Sequence, residues 1–459
     1  MKFRNIMLLP IVLSASVFLT GCSMQHASAA SVSAAGAKTY ENYMNISTEK
    51  TDEPTENANG SNEGTFASTG SVNGSNAGTY ASGESDIYSA AFSARDLSGE
   101  YDPDEAITIQ MNGSGASCDG TGVNISGSNI IITSGGTYIL TGNLKGSIIV
   151  DAGKEDKVQL VLNGSTIYSA DFAAIYVRQA DKVFVTLLEG SVNSLSNGGR
   201  FTQIDDNDVD AVVFSKDDIT FNGSGKLDIS SPAGHGISGK DEVTITEGSY
   251  EISAANHAIR AKDSLAIADG IFAIAAGEDG LHAENGDDDT LGNIYIADGD
   301  YSIEAADDAV HATALLQIDG GTFDITAAEG LEATYIRINE GTVSISASDD
   351  GINAAFKSSA YTPAVEINGG VITIVMGAGD TDGIDSNGML YINGGTIDVT
   401  AQSAFDYDGA AQYNGGTLII NGQQVGSIHN QMMGGNGGMK RGNSGRMGFR
   451  GNMSNSDFR

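Results

Sequence analysis

The chain has 459 residues, 61 glycines, 5 prolines, no tryptophan and a formal net charge of -36. An acidic excess of this size repels nucleic-acid phosphates and anionic lipid headgroups and draws in cations, so nucleic acid is excluded as a partner and divalent metal is a natural one. The length allows several domains, but a regular repeat lets a single long domain absorb most of it.

From the start of the chain, Lys2 and Arg4 precede an apolar run from Ile6 to Leu19, and Leu19-Thr20-Gly21-Cys22 follows. The charged opening, short apolar stretch and small residues are those of a signal peptide over 1–21, too short for a membrane span. Leu-Thr-Gly-Cys resembles the bacterial lipobox, so Cys22 is expected to be acylated and to anchor the protein on the outer face of a cell membrane. An ordinary signal peptide with an incidental cysteine is the other reading. Only Cys118 then remains, which leaves no intramolecular disulfide and predicts a small buried thiol.

Residues 22–90 are dominated by Ser, Ala, Gly, Asn and Thr without apolar periodicity. Such a stretch cannot offset the entropy of ordering itself, and as a flexible tether it would reach about 45 Å.

Residues 91–421 are expected to form the ordered domain, with an irregular cap and a first strand near residue 105. Less regular strands are predicted at Ile130 to Thr133, Tyr138 to Leu140, Val158 to Leu162, Ile175 to Val177 and Val183 to Leu187. Then one pattern recurs, as in Gly248-Ser-Tyr-Glu-Ile, Gly270-Ile-Phe-Ala-Ile, Gly299-Asp-Tyr-Ser-Ile and Gly321-Thr-Phe-Asp-Ile, up to Gly416-Thr-Leu-Ile-Ile. The glycines from Gly225 onward lie 20 to 29 residues apart, so a unit of about 22 residues repeats with occasional loop insertions.

Alternating apolar residues within each unit predict strands. A first column runs through Leu227, Tyr250, Phe272, Tyr301 and Phe323, a second strand supplies Ile237, Ile259, Leu281 and Val310, and a third supplies Ile245, Ile267, Ile296 and Ile318. Three short strands per turn, stacked at about 4.8 Å, predict an all-β parallel β-helix. Leucine-rich repeats share the period, but their asparagine and leucine spacing is absent here. Residues 422–459 are rich in Gly, Asn and Met, with Lys440, Arg441, Arg446, Arg450 and Arg459 against Asp457. They read as a disordered basic tail, solvated or drawn to an anionic wall polymer.

At the start of the second strand the repeats align Asp279, Asp308, Glu329, Asp350 and Asp382, with Glu278, Asp307 and Asp349 before three of them. Three positions after each acid come His282, His311, Glu332, Asn353 and Asp385. Stacking would hold successive carboxylates about 5 Å apart, where like charges repel by about 3 kcal/mol at an effective dielectric of 20. Calcium suits such a file, because it accepts many oxygens in loose geometry and the small residue after each acid leaves room for the ion. Asp-Gly turns pointing into water are the plain alternative. His282 and His311 raise zinc, but no cysteine accompanies them and oxygen donors dominate.

Insertions around Glu284 to Gly292 and Ala355 to Pro363 are expected to wall a trough holding Asp308, His311, Glu329 and Glu332. Outward positions of the third strand read Tyr295, Gln317, Arg337, Glu366 and Tyr391. Aromatic faces and a guanidinium suit a sugar acid, so Tyr295, Arg337, Tyr391, His311 and Glu332 are candidate carbohydrate contacts. A mixed solvent face is the alternative.

The run Ile130-Ile-Ile-Thr-Ser-Gly-Gly-Thr-Tyr-Ile-Leu-Thr-Gly, then Gly190-Ser-Val-Asn-Ser-Leu, then Val212 to Gly225, then repeated Asp-Gly-Ile/Leu-x-Ala, resembles the bacterial carbohydrate-binding domain-containing protein family over about 105–421. The resemblance implies a calcium-containing right-handed β-helix similar to polysaccharide lyases, which binds cellulose and acidic sugars such as polygalacturonate. It places calcium best at Asp279, Asp308, Asp350 and Asp382. His235, His257, Glu329 and Ser403 depart from Asp in their coils. Without tryptophan for a flat crystalline surface, acidic or soluble glycans are favoured over cellulose.

The expectation is thus a non-catalytic, monomeric, surface-displayed glycan-binding lipoprotein. A calcium-dependent polysaccharide lyase is the rival, with Arg260 or Arg337 as base, and a passive adhesin or structural spacer is a third reading.

Overall fold

The computed structural model describes residues 91–379 and 381–430. The expected signal peptide, Cys22, the tether and the tail from 431 onward lie outside them. The described residues are all-β, with no helix, and their strands pair mostly in parallel.

Each strand of the repeating part hydrogen-bonds not to its neighbour in sequence but to the strand three further on. Ser249–Ala254 pairs with Ile271–Ala276, which pairs with Asp300–Ala305, with Tyr250, Phe272 and Tyr301 in register. The same rule joins Ile259–Ala261 to Leu281–Ala283 and Asp308–Ala312, and Ser264–Ile267 to Asn293–Ile296. A chain that returns to itself every third strand is a stack of three-strand coils, an arrangement consistent with a β-helix. The second strands form a 13-stranded sheet of their own, while first and third strands share a 25-stranded sheet. That sheet is continuous because Lys157–Ser169 turns a corner within one strand: Lys157 to Leu162 pairs with Lys182–Leu187, whereas Thr166 to Ser169 pairs with Val192–Asn197.

The glycine that opens each repeat has a backbone reason. Gly248, Gly270, Gly299, Gly321, Gly341, Gly370, Gly395 and Gly416 all have φ between +81° and +151°, a region other L-residues rarely enter. The next residues alternate outward and inward, and the inward ones merge into one core from Ile109 to Leu418. Within it Tyr250, Phe272, Tyr301 and Phe323 stack with ring centroids 5.0, 4.8 and 4.4 Å apart, the separations that parallel pairing imposes.

Both ends of the stack change to antiparallel pairing. Ile107–Gly113 pairs with Ala116–Cys118 and Val123–Ser126 with Asn129–Ile132 at one end, and Thr417–Ile420 pairs with Gln423–Val425 at the other. Cys118 is half-buried there, not buried as its composition context suggests, because it stands in an end strand. The chain ahead of the first strand is ordered across the side of the stack. Asp96 is buried, accepts from Thr220 Oγ1 at 2.6 Å and pairs with Lys182 Nζ at 2.8 Å. Its carbonyl takes a hydrogen bond from Thr246 Oγ1 at 2.8 Å, and Arg95 lies 4.7 Å over the Phe184 ring.

Candidate functional site

The column at the start of the second strand is held by one recurring hydrogen bond. At four steps of the column the side chain of one member accepts the backbone N–H of the member in the next coil, whereas the Glu329 N–H donates to the Asp307 carbonyl. His257 N–H donates to His235 Nδ1 at 3.2 Å, Asp279 N–H to His257 Nδ1 at 3.1 Å, and Asp308 N–H to Asp279 Oδ1 at 3.0 Å. Further along, Asp382 N–H donates to Asp350 Oδ1 at 2.9 Å. An imidazole nitrogen and a carboxylate oxygen are interchangeable as acceptors, which explains why His235 and His257 stand where other coils carry an acid. The small residue that follows has a steric cause: a Cβ on Gly280 would lie 2.6 Å from the Ala309 carbonyl oxygen, and one on Gly330 would lie 2.3 Å from that of Gly351. The space beside the acid is taken by the next coil's backbone.

Three positions on, a second column meets the first. His282 Nδ1 lies 2.6 Å from Asp279 Oδ2, and His311 Nδ1 lies 2.7 Å from Asp308 Oδ2 and 2.9 Å from Glu332 Oε2. Lys357 Nζ, from the second insertion, reaches Glu332 Oε2 at 2.6 Å. The four histidine rings stack in chain order with centroids 5.0, 4.0 and 4.8 Å apart.

His257, Asp279, His282, Asp308, His311 and Glu332 line a cleft of about 640 Å³ that includes Glu278, Asp307 and Glu329 as well. The two insertions supply Glu284 and Lys357 to its lining and are tied together, the Ser358 hydroxyl donating to the Asp289 carbonyl at 2.5 Å and the Ser359 hydroxyl to the Asp289 carboxylate.

Charge in the cleft is unevenly compensated. Burial opposes ionisation of Glu332, but bonds from His311 and Lys357 overcome it and hold the carboxyl at about 2. Burial likewise opposes protonation of His311, and its bonds to Asp308 and Glu332 push it up to about 9. Glu329 accepts an amide bond from Asn353 at 3.0 Å, and burial with the charges of Glu332, Asp308 and Asp350 raises it to about 8. Burial, the bond to Glu332 and the nearby charges raise Asp308 as well. Carboxylate oxygens of Asp308, Glu329 and Glu332 come within 4.8 Å of one another, an all-oxygen donor set that fits a calcium ion.

The structure thus brings Glu278, Asp279, Asp307, Asp308, His311, Glu329 and Glu332 to one cleft. Asp350, Asp382 and Asp385 continue the columns outside its lining, with burial and the neighbouring acids raising Asp350 to about 6 and Asp385 to about 7. Asp349 is exposed beside them. Tyr295, Arg337 and Tyr391 are not brought to the cleft, because third strands belong to the other sheet. There the Tyr295 hydroxyl donates to Asp319 Oδ2 at 2.8 Å, and Arg337 Nε donates to Glu366 Oε2 at 2.9 Å. Arg260 lies against Asp210 and His235, apart from the cleft lining. Lys357 and Glu284 escaped the sequence reading because they sit in insertions, where no repeat marks them.

Fold and site define a coil-stacked β protein with a metal-competent acidic cleft on its second-strand sheet. The chain belongs to the carbohydrate-binding domain-containing protein family, whose family model matches residues 126–380 and, in a second match, 331–426. A relative of that name from Acetivibrio thermocellus is 35% identical over 136 residues, 29% of this chain and 48% of the relative, so the match spans about half of that relative's length. A solved structure described as a polysaccharide lyase-like protein from C. thermocellum, in a gadolinium derivative, is similar with a TM-score of 0.35. It is 24% identical, over 69% of this chain and 96% of that one.

Proposed function

We propose that this protein is a non-catalytic carbohydrate-binding lipoprotein, displayed at the cell surface through Cys22, whose right-handed β-helix takes an acidic polysaccharide of the polygalacturonate kind with calcium as the bridge. The observation that carries the reading is the convergence of Asp308, Glu329 and Glu332, of which two are pushed toward protonation by burial and by the neighbouring carboxylates. A cleft this rich in carboxylates repels a uronate unless a divalent ion stands between the two, whereas with the ion bound both sets of oxygens become ligands. Family membership supports a carbohydrate as the partner. Phe356, 71% exposed and adjacent to Lys357 in sequence, offers the apolar ring face that sugar recognition uses.

A non-catalytic role agrees with the state of the basic groups. Arg260 and Arg337 lie outside the cleft lining, and Lys357, which lies in it, is paired with Glu332.

The test is binding of the full chain to polygalacturonate with calcium and with a chelator, followed together with absorbance of unsaturated product. Binding that needs calcium and yields no new absorbance is expected. Equal binding with the chelator removes the calcium bridge from the proposal. Product formation lost in Lys357→Ala would make the protein a lyase, and failure to bind any acidic or neutral glycan would leave a passive spacer.

A further inference from the structure

The calcium bridge accounts for the acidic end of the second-strand columns and leaves the cationic residues beside it without a role. Ser238, Arg260 and His282 hold the same outward position in successive coils, and His282 lines the cleft. Arg260 therefore stands one strand spacing, about 4.8 Å, beyond that lining.

Its guanidinium is short of acceptors. Nη1 lies 3.4 Å from His235 Nε2. His235 Nδ1 already accepts the His257 N–H, which puts the proton of the neutral ring on Nε2, so that nitrogen cannot accept from Arg260 as well. The Asp210 carboxylate is 3.7 Å from Nη1, an ion pair too long for a hydrogen bond. Among the described residues neither Nε nor Nη2 makes a hydrogen bond. Lys240, two residues after Ser238, holds its ammonium 5.3 Å over the Phe214 ring, and among the described residues that ammonium enters no hydrogen bond and no ion pair. Burial opposes ionisation of Asp210, but His235, Lys240 and Arg260 overcome it and hold the carboxyl below its usual range. One carboxylate thus serves two cations.

We propose that Arg260, with Lys240 beside it, takes a second carboxylate of the acidic polysaccharide directly, without a metal. Nε and Nη2 of an arginine form a planar pair of donors matched to a carboxylate, and a guanidinium is weakly enough hydrated to use them. The inference rests on the glycan reading and names its ligand more closely. Register puts Arg260 two coils from Asp308 and three from Glu329, about 10–14 Å along the stack, so a chain of linked uronates reaches both places and a single ring reaches one. Calcium holds one acid group of the chain and the guanidinium another. The ligand is then a polymer with repeated carboxylates, in contrast to a glycan with one acidic end.

The test compares full-length wild type with Arg260→Gln, measuring affinity for polygalacturonate in saturating calcium and, separately, calcium affinity by equilibrium dialysis. Polymer affinity at least about 10-fold weaker is expected, at unchanged calcium affinity and melting temperature, with part of the loss recovered in Arg260→Lys. Should Arg260→Gln fold poorly, the wild type decides: the Nε–H NMR signal of Arg260 must shift when a galacturonate oligomer is added and stay in place with a neutral oligomer. Equal polymer affinity in Arg260→Gln, a parallel loss of calcium affinity, or an unmoved Nε–H signal overturns the proposal while leaving the calcium bridge intact. Wild type that fails to bind polygalacturonate at all overturns the glycan reading and this inference with it.

Discussion

Glu329 carries a marked electrostatic conflict, because it is buried beside the charges of Glu332, Asp308 and Asp350. Glu329→Gln is therefore expected to act in two directions, lowering calcium affinity at least about 10-fold while raising the melting temperature of chelator-treated protein. Calorimetry with and without chelator reads both. Protonation gives the same conflict a pH signature. A carboxyl raised to about 8 in the folded protein binds more protons folded than unfolded, so its contribution to stability falls as pH rises from its unfolded value toward 8. His311, raised to about 9, contributes below its unfolded value and loses that contribution as pH rises through 9. Glu332, held at about 2, contributes above its unfolded value and loses that only in strong acid. Cation-free protein should then melt progressively earlier between about pH 5 and about pH 9, and calcium should flatten the profile. A flat profile without calcium would contradict the charge assignment. Phe356 belongs to the same scale: Phe356→Ala removes an exposed ring, so it should weaken glycan binding and leave the melting temperature within about 1 °C.

At the scale of strands, the aromatic column turns one substitution into a fault in the pile. Phe272 touches rings on both sides, so Phe272→Ala is expected to cost about 3–5 kcal/mol, measured by denaturant unfolding, whereas the outward neighbour Ala273→Ser should cost under about 0.5 kcal/mol. These strands were legible because each opens on a glycine that needs positive φ and continues with strict alternation, two local signals that coincide. The acid column was legible for the same reason, but its backbone-capping role was not: the bond from Asp308 N–H to Asp279 spans 29 residues and exists only once coils are in register. Register also hid the histidine stack, since His257 belongs to one column of the sequence and His282 to another, yet their rings lie 4.0 Å apart. The Asp96 segment has no periodicity, and its bond to Thr220 crosses 124 residues, so nothing in its own sequence announces where it lies.

Across the whole molecule, a net charge of -36 draws cations toward the surface, whatever ion the cleft takes. The proposed acylation of Cys22 would hold that charge outside the cell, at its membrane. Cys22→Ser should release the protein from the membrane fraction into the soluble fraction, with glycan affinity of the purified protein unchanged. Retention on the membrane would remove the anchor from the proposal.

The antiparallel hairpins at the two ends of the stack differ in kind from everything between them, and that difference makes length negotiable. Interior coils all offer their neighbours the same pairing edge, so copying or deleting a whole one leaves every junction chemically familiar, and only the end pieces must be kept. Evolution can then lengthen or shorten the binding face in fixed increments without redesigning the protein.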